Sequence, residues 1–235
     1  MTTERTHVIT GAATRDGTAA PSGDAAAVHV QADGTTAAAV VDGIGHSPRV
    51  AAVAQLLADV AARVAARRGG LAGLLTATEL VADPGASDEP EPDAVAVVAT
   101  AEAGDDRIRV AWVGDCRAYA LEHGRLRPLT ADHNLAEQLV MCGYEGNVVR
   151  RSAQWVRTTV ATAAVATVAE AWTTQASLVV LTTDGVHDQV PHGVMEALAL
   201  KYESEPQALA DALVAAAESG DGVRDDATAI VIRHT

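Results

Sequence analysis

The sequence predicts a layered α+β fold, and three observations support this. Short apolar runs of strand length recur along the chain, turn residues separate most of them by hairpin distances, and helical patterns occur in blocks between them. A doubly wound parallel sheet would instead place a helix after each strand. No fixed-period repeat is present, so we expect short antiparallel pairs combined with helices.

The first 41 residues predict three strands. The first is expected at 7–10, followed by a loop rich in Gly, Ala and Pro at 11–23. Two further strands are expected at 25–31 and 35–41, joined by a hairpin turn at Asp33-Gly34.

A long helix is expected next. Ser47 suits the N-cap, and Pro48 suits the first helical position, where its missing N–H costs nothing. Apolar residues recur at helical spacing up to Gly69, and a second helix is expected at 71–81. Residues 82–93 change to Pro, Gly, Ser and acidic residues, which predicts an exposed loop. Strands of the same character resume after it, so we expect a single domain over residues 1–235.

The rest of the chain predicts further strands and helices. The strands are expected at 94–99, 108–113, 117–122, 125–129, 178–182 and 227–233, and the helices at 135–141, 193–202 and 206–218. Residues 144–164 show few clear breaks and allow no assignment.

Composition limits the classes of partner. The net charge of −14 leaves no cationic surplus to neutralise phosphates, which argues against binding to nucleic acid or to an anionic membrane. Cys116 and Cys142 are the only cysteines, which indicates reduced thiols rather than a disulfide framework. The N-terminus lacks a signal-peptide pattern and no apolar run reaches about 18 residues, so we expect a cytoplasmic protein.

Aspartates at strand ends are the candidate functional residues. Five Asp-Gly pairs occur, and those at Asp16, Asp33 and Asp221 are interpreted as turns. Asp42 and Asp184 differ, because each ends an apolar run that must be buried.

Asp115 and Asp225 flank buried runs in the same way. Carboxylates gathered at buried strand ends would repel one another unless a cation lay among them. Oxygen ligands without a His or Cys cluster favour Mg²⁺ or Mn²⁺ over Zn²⁺, and two such ions can assist a displacement at phosphorus. Spacing alone leaves a second interpretation open, in which these residues are solvated turns.

Five segments resemble, in the same order, sequence blocks of the metal-dependent protein phosphatases, the type 2C serine/threonine phosphatases. Residues 41–46 (Val-Asp-Gly-Ile-Gly-His) resemble the Asp-Gly-x-Gly-Gly block, and residues 113–119 resemble the Gly-Asp-Ser-Arg-Ala-Tyr block, with Cys in place of Ser. Residues 129–134, 181–188 and 225–231 resemble the blocks Leu-Thr-x-Asp-His-Ser, Thr-Asp-Gly-Leu-Trp-Asp and Asp-Asn-Ile-Thr-Val. Each match is modest alone, but the five in order cover nearly the whole chain.

The resemblance implies a fold and a two-metal centre. The fold is an α-β-β-α sandwich, in which two packed antiparallel sheets carry helices on both outer faces. Asp42 would bridge two Mn²⁺ or Mg²⁺ ions, and the Gly43 carbonyl would bind the second. Asp184 and Asp225 would hold the first ion.

The resemblance also implies a mechanism. Asp24 would hold metal-bound water, and Asp115 would help to hold a possible third ion. The implied activity is hydrolysis of phosphoserine or phosphothreonine in a phosphoprotein by a metal-bridged water, without a covalent intermediate. No side-chain nucleophile is then needed, so Cys116, His133 and His187 are interpreted as structural.

The N-terminal part departs from the family pattern. The phosphate-binding Arg of the family is expected near positions 19–20, where this chain has two alanines, and an Asn-Glu pair is replaced by Ser22-Gly23. Arg15 is near in sequence, but only a shift of the chain would let it substitute. The phosphate-binding residue is therefore unknown, and two functions remain open: an active phosphatase, or a degenerate domain that binds a partner without turnover.

Two departures lie in the other blocks. Asp226 stands where the family has Asn, and Ile44 stands where some relatives have a His acid. Gly45-His46 instead resembles the bacterial regulator phosphatases of sporulation and stress signalling, which function without the phosphate-binding Arg.

Overall fold

The computed structural model describes residues 8–83, 85–86, 89–218 and 222–234, with the backbone alone at 85–86 and 89–90. Its strands are β1 Val8–Arg15, β2 Asp24–Val30, β3 Thr36–Gly43, β4 Gly85–Ala86, β5 Glu89–Pro90, β6 Ala94–Ala101, β7 Ile108–Val113, β8 Arg117–Glu122, β9 Arg125–Pro128, β10 Ala169–Thr173, β11 Leu178–Thr182 and β12 Ala227–His234. Its helices are α1 Pro48–Arg68, α2 Gly70–Thr78, α3 Leu135–Met141, α4 Asn147–Arg151, α5 Asp184–His187, α6 His192–Lys201 and α7 Pro206–Ala216.

Two five-stranded antiparallel sheets form the centre of the molecule. One has the strand order β1-β12-β11-β8-β9 and the other β10-β7-β6-β3-β2. Their inner faces pack together through residues such as Val97, Val179 and Ile230. Helices α1 and α2 cover the outer face of the second sheet, and α6 and α7 cover that of the first. The α-β-β-α sandwich is therefore confirmed.

The first long helix begins and ends where its sequence signals predict. The Ser47 hydroxyl accepts a hydrogen bond from the backbone N–H of Val50 at 3.1 Å, which satisfies one of the free donors of the first turn. At the other end Gly69 has a φ of 87° and donates its N–H to the Ala65 carbonyl. Helix α3 also has the predicted bounds.

The first strand is longer than predicted. β1 pairs with β12 over all eight of its residues, so the expectation of a loop from residue 11 was wrong as far as Arg15. The Gly and Ala residues that suggested a loop serve packing instead, because a Cβ on Gly11 would lie 2.3 Å from the backbone nitrogen of Gln207 in α7. Position 7 lies outside the described residues.

Strand β10 was not predicted. It pairs with β7 at the edge of its sheet and leaves Trp172 exposed, so its sequence lacks the continuous apolar run of a central strand. Most of the predicted 82–93 loop lacks described side chains, and the predicted turn at 221 is outside the described part of the chain.

One end of the sandwich collects the aspartates of interest. The register pairs Asp24 with Asp42 across β2 and β3, and it pairs the last residue of β11, Thr182, with the first of β8. Within the described part of the chain, no helix is long and apolar enough to cross a membrane.

Candidate metal centre

Four predicted ligands line one cavity between the ends of the two sheets. Asp42 near the end of β3, Asp115 after β7, Asp184 after β11 and Asp225 before β12 face a cavity of about 340 Å³. The sandwich brings them together because all four stand at strand ends on the same edge of the two sheets. Side chains far apart in sequence thus share one small space.

The other two predicted ligands lie beside the cavity wall. The Asp24 carboxylate accepts a hydrogen bond of 2.7 Å from the Thr183 hydroxyl, directly before Asp184. Gly43 is buried next to Asp42 and donates its N–H to the Gly23 carbonyl at 3.0 Å. Hydrogen bonds therefore fix Asp24 and Gly43 next to the residues that line the cavity, although neither lines the cavity itself.

Several aspartates of this site have raised pKa values, because their environment disfavours the ionised form of the carboxyl group. Burial raises the pKa of Asp184 to about 7, and repulsion from Asp225 and Asp115 adds to this. The pKa of Asp24 also rises to about 7 and that of Asp115 to about 6, in both cases chiefly because of burial. Burial and the neighbouring aspartates raise the pKa of Asp42 well above its usual range. A divalent cation would relieve the repulsion that causes part of these shifts.

Three further charged residues share the cavity wall and were not assigned from the sequence. Asp132 forms a bidentate ion pair with Arg117, with distances of 2.8 Å to Nε and 2.7 Å to Nη2. Asp188 has a raised pKa because of burial. Both aspartates stand within the resembling blocks, so their block positions were the signal that could have found them. Arg117 balances Asp132 and leaves the other carboxylates without a cation.

The donor set fits Mg²⁺ or Mn²⁺. The cavity wall offers carboxylate and amide oxygens, and its one imidazole, on His187, is bonded to the Thr182 hydroxyl at 2.8 Å. Oxygen-rich sets of this kind select hard cations. Among the described residues, no three or more Asp, Glu, His or Cys side chains are arranged closely enough to hold a metal ion as they stand. Asp42 and Asp184 are in direct contact, since hydrogen bonding to Asp42 lowers the pKa of Asp184.

Glycines at the strand ends let the backbone segments of the centre approach closely. A Cβ on Gly185 would lie 1.9 Å from the carbonyl oxygen of Asp226, so no other residue fits at the start of α5. This contact holds the Asp184 turn against the Asp225-Asp226 segment. The glycine after Asp184 is thus required by packing, which distinguishes it from an ordinary turn glycine.

The N-terminal loop is attached to the centre by Asp226. This buried carboxylate accepts backbone N–H bonds from Gly17 and Gly23, both at 2.7 Å. Two donors require two acceptor oxygens, which Asp provides and the Asn of the family does not. The substitution at this position therefore has a structural explanation.

Asp226→Asn is expected to lower the free energy of unfolding by about 1–3 kcal/mol, because its amide nitrogen would face a buried N–H donor. Urea denaturation measures this. Asp33→Asn is the matched control, since Asp33 accepts a single bond, from the Thr35 N–H, which an amide oxygen retains. Equal stability of the two variants would contradict the assigned role.

Arg15 does not replace the missing phosphate-binding Arg. It lies in β1 on the face turned toward α7, where its Nη1 is 3.5 Å from the Ala215 carbonyl. Ala19 and Ala20 are exposed and offer no donor side chain. Ile44 borders the cavity and is 52% exposed, which places an apolar group at its mouth.

Arg15→Ala is expected to leave any phosphatase turnover within about twofold of the parent protein, since the side chain points away from the cavity. Steady-state assays on a small phosphate ester check this. A tenfold loss in a variant of unchanged melting temperature would return Arg15 to the site.

The histidines and cysteines have packing environments. His133 stacks on Trp112 with ring centroids 5.9 Å apart, and burial lowers its pKa. Burial lowers the pKa of His187 well below its usual value. Cys116 is buried beside β8 and Cys142 is exposed, and both are free thiols. These surroundings fit structural roles for His133, His187 and Cys116.

Comparison with protein families identifies the relationship. The family model described as stage II sporulation protein E (SpoIIE) matches residues 32–235. The chain belongs to the SpoIIE family. This agrees with the resemblance of Gly45-His46 to sporulation regulators. A comparison with curated proteins found no match.

The fold of this SpoIIE-family protein is similar to those of several solved structures. The S. agalactiae serine/threonine phosphatase superposes with a TM-score of 0.81 at 16% identity, covering 97% of this chain and 99% of that one. PppA of Pseudomonas aeruginosa gives 0.76 at 21% identity, covering 98% and 100%. The catalytic domain of the phosphatase PstP, solved with two manganese ions, gives 0.70 at 19% identity, covering 98% and 99%. The fold is that of the bacterial type 2C phosphatases.

Proposed function

We propose that this chain is a metal-dependent protein serine/threonine phosphatase, formed by a single domain over residues 1–235. The observation that carries the proposal is the convergence of Asp42, Asp115, Asp184 and Asp225 on one cavity. The PstP catalytic domain, which has a similar fold, was solved with two manganese ions, and this supports Mn²⁺ or Mg²⁺ as the cofactor. The proposal includes two ions, a possible third, and a phosphoprotein substrate in the cytoplasm.

The chain supplies the ligands and the geometry. Divalent cations, when bound, supply Lewis acidity and lower the pKa of water. These cations would be held by Asp42, Asp184 and Asp225, with Gly43 and Asp24 beside them. Asp115 would help to hold a third ion. Thr183 fixes Asp24 through its hydroxyl, and the Gly185 turn fixes Asp184 against the Asp225 segment. The protein groups thus position the reaction without a side-chain nucleophile.

Arg117 is the proposed phosphate contact. Within the described cavity wall it is the one Lys or Arg side chain. Its guanidinium carries five N–H donors, and Asp132 engages the Nε and Nη2 atoms while holding the group in place. The remaining donors can serve a phosphate oxygen. This contact would compensate for the alanines at positions 19 and 20.

A second candidate function is a binding module without turnover. The specific observation in its favour is that positions 19 and 20 carry no donor side chain and Arg15 faces α7. Such a module would bind a phosphoprotein, a kinase or another partner without turnover.

The two functions are separated by a turnover assay on a serine phosphopeptide and on p-nitrophenyl phosphate. Hydrolysis that requires Mn²⁺ or Mg²⁺ and stops with a chelator supports the enzyme. A folded protein that releases no phosphate at millimolar Mn²⁺, yet binds the phosphopeptide, supports the binding module and contradicts the enzyme.

A further inference from the structure

The segment next to the cavity differs in charge from the rest of the molecule. Residues 146–169 contain three arginines and no acidic residue, in a chain whose net charge is −14. The three are Arg150, Arg151 and Arg157, and all are exposed. None forms an ion pair with a described carboxylate. The segment is therefore locally cationic on an acidic protein, with the exposed Glu145 directly before it as the one acidic residue between positions 140 and 157.

Exposed apolar side chains accompany these arginines. Met141 is 87% exposed and Trp155 is 69% exposed, and Val140, Tyr144 and Val148 are each about half exposed. All five lie between positions 140 and 155, and a cluster of large exposed apolar side chains is typical of a surface that binds a partner. We name the surface formed by these five residues and the three arginines the 140–157 surface.

A second cavity links this surface to the metal centre. It has a volume of about 260 Å³ and includes Met141 and Arg157 in its lining. It shares Asp132 and Asn134 with the larger cavity, so the two are separated by the thickness of those residues. A peptide strand advances about 3.3 Å per residue, so a peptide with its phosphorylated residue in the first cavity reaches the second within two or three residues.

The partition between the cavities is held by backbone bonds. The Leu135 N–H donates to the Trp155 carbonyl at 2.9 Å, and the Arg157 N–H donates to the His133 carbonyl at 2.7 Å. Gln154 and Val156 face the first cavity, whereas Arg157 faces the second. This alternation leaves Arg157 and Trp155 exposed on one side of the segment, while Gln154 and Val156 line the first cavity on the other.

We propose that the 140–157 surface docks an acidic, apolar segment of the phosphoprotein, two or three residues from the phosphorylated residue. The proposal rests on the proposed function for the identity of the phosphorylated group. Charge complementarity selects carboxylate-bearing peptides, and Trp155 and Met141 supply apolar contact area. Three arginines are too few for the electrostatic affinity of a nucleic-acid surface on a chain of this charge.

The test compares two serine phosphopeptides that differ only in the flanking residues, Asp-Leu-rich or Lys-Ser-rich. Fluorescence anisotropy gives Kd, and steady-state assays give kcat/KM. The parent protein is expected to prefer the acidic peptide by at least about tenfold. Arg157→Glu should reduce this preference to about twofold or less, and Trp155→Ala should weaken binding of the acidic peptide. Glu137→Lys, which changes a charge of the same cavity in the other direction, should increase the preference.

Arg63→Glu on the exposed face of α1 is the matched control, because it makes the same charge change away from the surface and should preserve the preference. No preference in the parent protein, or equal effects of Arg63→Glu and Arg157→Glu, would overturn the docking proposal. Binding to anionic phospholipid vesicles that Arg157→Glu abolishes, without any peptide preference, would also overturn it. If the protein showed no turnover but still bound the acidic peptide more tightly in the anisotropy assay, the proposed phosphatase activity would be contradicted and the docking proposal would be supported.

Discussion

Asp184→Asn is expected to lower metal-dependent phosphatase turnover by more than about 100-fold. The substitution keeps the size of the side chain but removes a negative charge from a group that borders the cavity with Asp42 and Asp225. Losing even an indirect partner of a metal ligand costs about 10- to 100-fold, so loss of a ligand should cost more. Phosphate release at saturating Mn²⁺ measures the effect.

The matched control is Asp33→Asn, because Asp33 also precedes a glycine but lies in the hairpin between β2 and β3. It should retain full turnover. Asp42→Asn should resemble Asp184→Asn, since both carboxyls line the same cavity and both have raised pKa values. If Asp184→Asn retained more than a third of the parent turnover, the proposed metal centre would be wrong.

The metal-free protein is expected to lose stability as the pH rises from about 4 to about 7. The pKa values of Asp24 and Asp184 rise to about 7 in the folded state, and that of Asp115 rises to about 6, against about 3.9 in an unfolded chain. The folded state therefore binds more protons than the unfolded state across this window. Each extra proton lowers the free energy of unfolding by about 1.4 kcal/mol per pH unit, and the stabilisation is complete only below pH ~4.

Thermal denaturation in a chelator at several pH values measures this loss. Other groups also titrate, so the informative quantity is the difference between the parent protein and Asp184→Asn. That variant should be less sensitive to pH, because it lacks one of the buried carboxyls. Mn²⁺ should raise the melting temperature more at pH 7.5 than at pH 5, since protons compete with the cation. A metal-free protein that becomes more stable than the variant as the pH rises would contradict the account.

Much of the fold and the acidic centre could be predicted because strand patterns and their end residues are local signals. Asp42, Asp115, Asp184 and Asp225 each adjoin a buried apolar run, and the register of two sheets was sufficient to bring them together. The alanine-rich start of β1 was misassigned because its pairing with β12 and its contact with α7 depend on residues over 190 positions away.

Long-range contacts also explain the rest of what was missed. The bond pattern of Asp226 depends on Gly17 and Gly23, so its sequence position alone gives no reason for Asp over Asn. The role of Arg117 becomes visible only when Asp132 is placed beside it. The segment 144–164 has no regular period, because it follows the surface and contains a single short helix, α4.

The central claim is that these aspartates hold divalent cations. Diffraction from crystals soaked in Mn²⁺, recorded to give the anomalous signal of manganese, tests it most directly. The account predicts two strong anomalous peaks within about 2.0–2.6 Å of carboxylate oxygens, with Asp42 between them and Asp184 and Asp225 on one. A third, weaker peak near Asp115 would fit the same account. The absence of any peak at Asp42 in a folded, well-ordered crystal would contradict it.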